Sequence, residues 1–309
     1  MAGMMVVGRH RVEVLVMTIY QLARLYVRSR LISDAHGRDV LSVSRRASQV
    51  VRGNVSVQSL TKYLSGQLQR RSPATVAKHR RLLQAVLNWA AEQGLCPAMR
   101  LPRIRVPARI PQAWTVRDVE RLLQAASALS GWVGTVPARR WWPALILAIY
   151  WTGARLGTLL AATPSDWDGH TLILRHSKTG RIQVVRLHRQ ANEAISRIYD
   201  PASPRLFFWP RSRWALYRDF RKICQTAGVP TEHKAYSLFH RLRRTCLTYC
   251  WAADPAVAVR QADHANPETT KRHYVDIRLV LGERQAADLL PVPKWEGTDG
   301  QPALPFPWG

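Results

Sequence analysis

Acid is scarce in this chain. Only 20 Asp and Glu stand against 46 Lys and Arg in 309 residues, which leaves a formal net charge of +26. Lysine is scarce too, at 7 residues, so 39 of the cations are Arg. A deficit of acid on this scale implies a polyanionic partner. Arg meets phosphate with two parallel hydrogen bonds where Lys offers a point charge. Nucleic acid is therefore the leading partner, with an anionic membrane surface second.

Other absences narrow the field further. The longest apolar stretch, Trp141–Trp151, is about half a membrane span and is broken by Pro143, so no membrane span is expected and, with nucleic acid leading, no membrane partner. The opening MAGMMVV precedes Gly8, Arg9, His10 and Arg11, the reverse of the charge order in a signal peptide. The four cysteines, Cys96, Cys224, Cys246 and Cys250, form no CxxC pair. A disulfide scaffold or zinc ribbon is not expected, and a reducing cytoplasm is the plain reading. No GxxxxGK[ST], GxGxxG or HExxH occurs, so the expected cofactors are none: no ATP, no dinucleotide, no metal. His233 and His273 stand near His240 and His264, but their spacing matches no ligand signature.

What remains is enough apolar residue, 47%, to bury real cores, in a chain long enough for two domains. The stretch 98–112 carries Pro102, Pro107 and Pro111 among four arginines, Arg103 and Arg105 included, and reads as an extended linker. Residues 1–107 hold 18 cations and 4 acids, and residues 108–309 hold 28 and 16, so both sides are strongly basic. The first part reads as helical, with helices at 13–31, 56–69 and 73–93. Ser72 is placed to cap the last, Pro73 opens it and Gly94 follows it. Val76, Leu83, Val86, Leu87 and Ala90 share one face of that helix; Lys78, Arg81 and Asn88 share the other, a solvated or DNA-facing surface.

The second part opens on Trp114-Thr115-Val116-Arg117-Asp118-Val119. Thr115 reads as the cap, Asp118 sits three residues on, and Trp114 can staple onto Val119. An apolar helix follows at about 140–151. Residues 171–187 read as two short strands around Ser177-Lys178-Thr179-Gly180, and 189–290 as mostly helix. The expected fold is mainly α with a small sheet. A Pro-rich tail covers 291–309.

Three segments hold polar residues with chemical potential. Arg155 follows Gly153 within YWTGARLGTLLAAT, read as an otherwise apolar helix. Lys178 lies at the hairpin tip. His240 and Arg243 sit three apart on one helical face, with His264 and Tyr274 further on. Singly, each has a plain reading: a snorkelling Arg, a solvated turn Lys, a packing Tyr.

Taken in order, these residues resemble the tyrosine recombinases of the phage integrase family over roughly residues 13–290. Thr152–Arg155 is similar to the TGxR box, Ser177–Gly180 to the lysine hairpin and His240–Arg243 to the HxxR box. HANPETTKRHY (264–274) is similar to the terminal box. The resemblance implies an N-terminal helical core-binding domain (1–107) and a catalytic domain (108–290) acting on double-stranded DNA. Lys78, Arg81, Arg103 and Arg105 are its expected phosphate contacts.

Breaking a phosphodiester without metal requires fixed cations in the metal's place. The resemblance assigns Arg155 and Arg243 to the non-bridging oxygens and Tyr274 to attack, giving a 3′-phosphotyrosyl enzyme. Lys178 is implied as acid for the leaving 5′-oxygen, His240 in proton transfer and His264 as a hydrogen-bond donor to phosphate. It also implies a homo-oligomer, a tetrameric synapse on DNA, with the segment 276–290 as a helix docking into a neighbour, and a cytoplasmic, nucleoid-associated place of action. The expected role is integration or excision of a mobile element. The alternatives are a type IB topoisomerase-like nicking-closing enzyme and a decayed DNA-binding scaffold. Three positions depart from the family pattern: Thr158 replaces a common acid, Arg241 a common Asp and Asp263 a common Gly.

Overall fold

The computed structural model describes residues 17–51, 55–175, 180–231, 237–263 and 266–280. The chain divides into two compact units, Met1–Arg109 and Ile110–Gly309. Among the described residues of the first, four helices surround one core: α1 (Ile19–Ser29), α2 (Asp34–Val50), α3 (Val57–Leu68) and α4 (Pro73–Glu92). Helix α1 starts later than the expected residue 13, because Thr18 and Gln21 form a reciprocal capping box that satisfies both N-terminal donors. Helix α4 matches its expectation closely: Ser72 accepts from the Thr75 amide, Pro73 opens the helix, and Gly94 turns with φ +68°.

Helix α2 was not foreseen. Its inward face is built from Gly37, Val40, Val43, Ser44 and Ala47. Small residues at helical spacing carry little hydropathy, so the period is faint in sequence. They let α2 pack closely: a Cβ on Gly37 would stand 3.2 Å from Val27.

The stretch read as a linker is in part packed. Leu101 is 1% exposed and belongs to the first unit's core. Gln84 on α4 accepts from the Leu101 amide (2.8 Å) and donates to the Met99 carbonyl (2.7 Å), while Arg80 donates to the Leu101 carbonyl (2.7 Å). Side chains thus supply the backbone partners that an extended segment lacks. Arg103 and Arg105 beyond it are exposed.

In the second unit α5 (Val116–Ser127) carries the expected cap: Thr115 accepts from the Asp118 amide, and the Asp118 carboxylate accepts from the Thr115 amide. A two-residue hairpin, β1 (Trp132–Val133) with β2 (Val136–Pro137), precedes α6 (Ala138–Thr152), which is buried along most of its length. Then come α7 (Leu156–Leu159), the antiparallel pair β3 (Thr171–Arg175) and β4 (Ile182–Arg186), and α8 (Arg189–Ser196). The remaining helices are α9 (Arg213–Thr226), α10 (Ser237–Ala253), α11 (Pro255–Ala262), α12 (Pro267–Tyr274) and α13 (Ile277–Val280). Trp142 stacks on Phe220, and Phe220 on Phe239 at 4.0 Å, so α6, α9 and α10 share one aromatic seam. The fold is mainly helical with small sheets, as expected. The turn residues 176–179 and the segment beyond 280, where a docking helix and a Pro-rich tail were expected, lie outside the described residues.

His79 on α4 makes the first unit sensitive to acid. Its side chain is 5% exposed, and its Nδ1 has no hydrogen-bond partner among the described residues. Burial foremost, with Arg46, Arg71 and Lys78 adding, lowers its pKa to about 4. An unfolded histidine protonates near 6.5, so between there and about 4 the unfolded chain holds more protons. Stability is full above that window and falls as pH drops through it, by up to about 3 kcal/mol. Thermal denaturation followed by circular dichroism at pH 7.5 and 4.5 should show a smaller loss for His79→Leu than for the parent chain. Equal losses would assign the acid sensitivity to other groups.

Candidate active site

Arg155 does not lie in a continuous helix, contrary to expectation. Helix α6 ends at Thr152, and Gly153 follows with φ +61° and donates its amide to the Ile149 carbonyl (2.8 Å). A Cβ there would meet Cys246 Sγ at 3.1 Å and would carry the strain of left-handed backbone. The Thr152 hydroxyl accepts from the Ala154 amide (3.1 Å) and donates to the Ala148 carbonyl. The TGxR box is thus a helix stop that re-aims the chain, and it leaves a half-buried Arg155 as the first residue ahead of α7.

His240 and Arg243 both sit on α10, as expected, but in different settings: His240 is exposed and Arg243 is 1% exposed. Arg243 donates to the Gly153 carbonyl and to the Ala262 carbonyl (2.9 Å), reaching from α10 to the ends of α6 and α11. Its Cζ lies 5.0 Å from the centroid of the Tyr274 ring, with the phenol oxygen as a further hydrogen-bond partner. Burial draws the Arg243 pKa below the usual range; the nearby Arg155 acts the same way and Tyr274 opposes both. Of the six residues singled out, Arg243 and Tyr274 thus meet from separate segments, and Arg155 lies near enough for its charge to act on Arg243. Lys178 and His264 lie outside the described residues.

Neighbouring contacts lock these segments together. Gln261 donates to the Thr152 carbonyl, fastening α11 to the end of α6. Gln183 on β4 donates to the Arg260 carbonyl (3.1 Å), and Arg181 pairs with Asp263 at 3.3 Å. Asp263 itself stands at φ +52°, the left-handed geometry that the family's glycine suits, and Asp is among the few side chains that tolerate it. Arg241 faces inward: it donates to the carbonyls of Ala113 (3.4 Å) and Pro230 (3.2 Å) and lies over Trp114 at 5.6 Å. These two departures therefore take structural parts. Thr158 donates its backbone amide to the Arg155 carbonyl (2.9 Å), a bond that does not depend on its side chain.

Sequence reading overlooked the polar groups beside Tyr274. Asp276 is 1% exposed and accepts from the Ala113 amide (3.0 Å) and from Arg278 (2.7 Å). Burial alone would raise its pKa, but Arg278 and the amides of Ala113 and Arg278 hold it below the usual value. The Thr248 hydroxyl donates to the Tyr274 carbonyl (3.1 Å) and accepts from the Asp276 amide (3.0 Å). A carboxylate two residues after the tyrosine was the only hint in sequence.

Of the expected phosphate contacts, Lys78 and Arg81 are exposed on α4, and Lys78 is held by Asp39 at 2.6 Å. Among the described residues no group of three His, Cys, Asp or Glu side chains is arranged to hold a metal ion, and no helix is long and apolar enough to cross a membrane.

Residues 113–279, more than half of the chain, match the phage integrase family. The chain belongs to that family of tyrosine recombinases, enzymes that break and rejoin DNA. No match was found among curated protein sequences. Among solved structures it is similar to a lambda integrase (75–356) dimer bound to a COC′ core site, with TM-score 0.69 and 18% identity over 84% of this chain and 96% of that one. A lambda integrase tetramer bound to a Holliday junction gives TM-score 0.65 and 19% identity over 83% and 78%. The Tn1549 transposon integrase in complex with transposon right end DNA gives 0.64 and 14% over 86% and 99%. At these identities the likeness establishes the fold.

Proposed function

We propose that this chain is a site-specific recombinase that cuts and rejoins double-stranded DNA through a 3′-phosphotyrosyl bond to Tyr274, serving integration or excision of a mobile element. The observation that carries the reading is Arg243. Its guanidinium is buried, and among the described residues its partners are two backbone carbonyls and the Tyr274 phenol, with no carboxylate and no partner for Nε. A buried cation without a counter-charge is costly, and a phosphate oxygen would relieve that cost.

In this reading Arg243 and Arg155 brace the non-bridging oxygens and stabilise the charge that grows on them. The Tyr274 oxygen attacks phosphorus and the 5′-oxygen leaves with a proton from Lys178. His240 assists the proton transfer and His264 donates to the phosphate. The ester bond to tyrosine conserves the phosphodiester energy, so rejoining needs no nucleotide. Arg81, Arg103, Arg105 and Lys78 hold the DNA backbone from the basic first domain (1–107), with Lys78 exchanging Asp39 for phosphate. The catalytic domain (108–290) works as part of a tetrameric synapse in the cytoplasm, on the nucleoid. The Tn1549 integrase it resembles is described in complex with transposon right end DNA, which favours the mobile-element role.

A nicked substrate that loses its 5′-fragment on cleavage traps the covalent enzyme. Parent chain should accumulate adduct, and Tyr274→Phe should form none while binding DNA with unchanged affinity. Adduct from Tyr274→Phe would move the nucleophile elsewhere, and no adduct from the parent would mark a decayed scaffold.

Lys178 is tested by its leaving group. Lys178→Ala should cleave ordinary DNA poorly yet recover on a substrate with sulfur at the 5′-bridging position, because the thiolate needs no proton. Equal defects on both substrates would remove Lys178 from the proton transfer.

A further inference from the structure

Thr248 and Asp276 take no part in the chemistry above, yet they hold the chain on both sides of Tyr274. Thr248 is fully buried on α10, and its one hydroxyl bridges the Tyr274 carbonyl and the Asp276 amide. The Asp276 carboxylate continues the tie to the Ala113 amide. Arg241 grips the carbonyl of the same residue, and the Trp114 amide donates to the Thr245 hydroxyl at 2.9 Å. A continuous run of buried hydrogen bonds therefore links α10, the backbone around Tyr274 and the point where the chain enters the second unit.

The need for such a tie follows from where Tyr274 stands. It is the last residue of α12, a helix of 8 residues. The last carbonyls of a helix have no partner within it, and a helix this short has little stability of its own. Arg243 fixes the ring, but a ring held on a fraying backbone would not keep its oxygen in line with a phosphorus atom. Misplacement by about 1 Å can cost roughly 100-fold in rate.

Resting on the reading of Tyr274 as nucleophile, we propose that Thr248 and Asp276 are positioning residues. They anchor the Tyr274 backbone to α10 and to Ala113, so that the phenol oxygen is held ready for attack. Neither touches the reacting atoms. The Thr248 hydroxyl acts as the hinge pin, and Asp276 registers the nucleophile segment to the start of the catalytic unit.

The test uses the full chain carrying Thr248→Val, Thr248→Ser, Asp276→Asn or Tyr274→Phe. Covalent-adduct formation is timed on the nicked substrate at saturating protein, alongside DNA affinity and melting temperature. Thr248→Val, which removes both bridging bonds and keeps the shape, should slow adduct formation by about 10- to 100-fold with unchanged affinity. Thr248→Ser should restore most of the rate. Asp276→Asn, which can still accept from Ala113 but loses its charge toward Arg278, should fall between.

Parent-like cleavage by Thr248→Val, a Thr248→Ser no faster than Thr248→Val, or a loss that tracks weakened DNA binding would each overturn the proposal. If Thr248→Val does not fold, Asp276→Asn decides: slowed adduct at unchanged affinity supports positioning, and a parent-like rate overturns it. Adduct from Tyr274→Phe would overturn the nucleophile assignment and this proposal together. An inactive Tyr274→Phe beside a parent-like Thr248→Val would overturn the positioning alone.

Discussion

A guanidinium that is 1% exposed must find acceptors in the protein, and Arg243 finds them at the ends of two other helices. That requirement organises the catalytic unit. The Gly153 carbonyl is within reach only because α6 stops at Thr152 and turns through a left-handed glycine, and the Ala262 carbonyl only because α11 ends at Asp263. The same two stops release Arg155 on one side and lead to residue 264 on the other. The buried Arg243 thus joins the ends of α6 and α11, and its ring contact with Tyr274 adds a third segment.

Two departures from the family pattern are understandable on this basis. Arg241 works as a buried bracket between Ala113, Pro230 and Trp114. Asp263 adopts the backbone of a glycine and gains an ion pair to Arg181 beside the lysine hairpin. That pair is half exposed at its Arg181 end and adds little stability by itself. Its effect is to join β4 to the end of α11, where Gln183 makes a second link. Replacements that look damaging in a motif are here absorbed by changes in what the side chain touches.

The sequence was most legible where local chemistry decides the outcome. Ser72 with Pro73, Thr115 with Asp118, and the paired strands around Lys178 were all readable because caps and turns depend on a few adjacent residues. Helix α2 was not readable, since Gly37, Ser44 and Ala47 make a core face by being small rather than apolar. The break after Thr152 was hidden by the apolar run on both sides of it. Of the candidate site, Arg155, Arg243 and Tyr274 were visible through the family resemblance of the boxes that hold them. The polar ties through Thr248, Gln261 and Asp276 were not, because they join residues up to 163 positions apart.

If Arg243 is the organising contact, its loss should loosen specific places. Arg243→Lys keeps the charge but lacks the planar fork that spans two carbonyls. Amide hydrogen exchange of parent and Arg243→Lys chains measures this directly. Exchange should quicken together around residues 152–156, 259–263 and 270–276, while the helices of the first unit, 19–92, keep their rates. Unchanged protection in those three segments would show that each holds its course without Arg243, and would contradict the account.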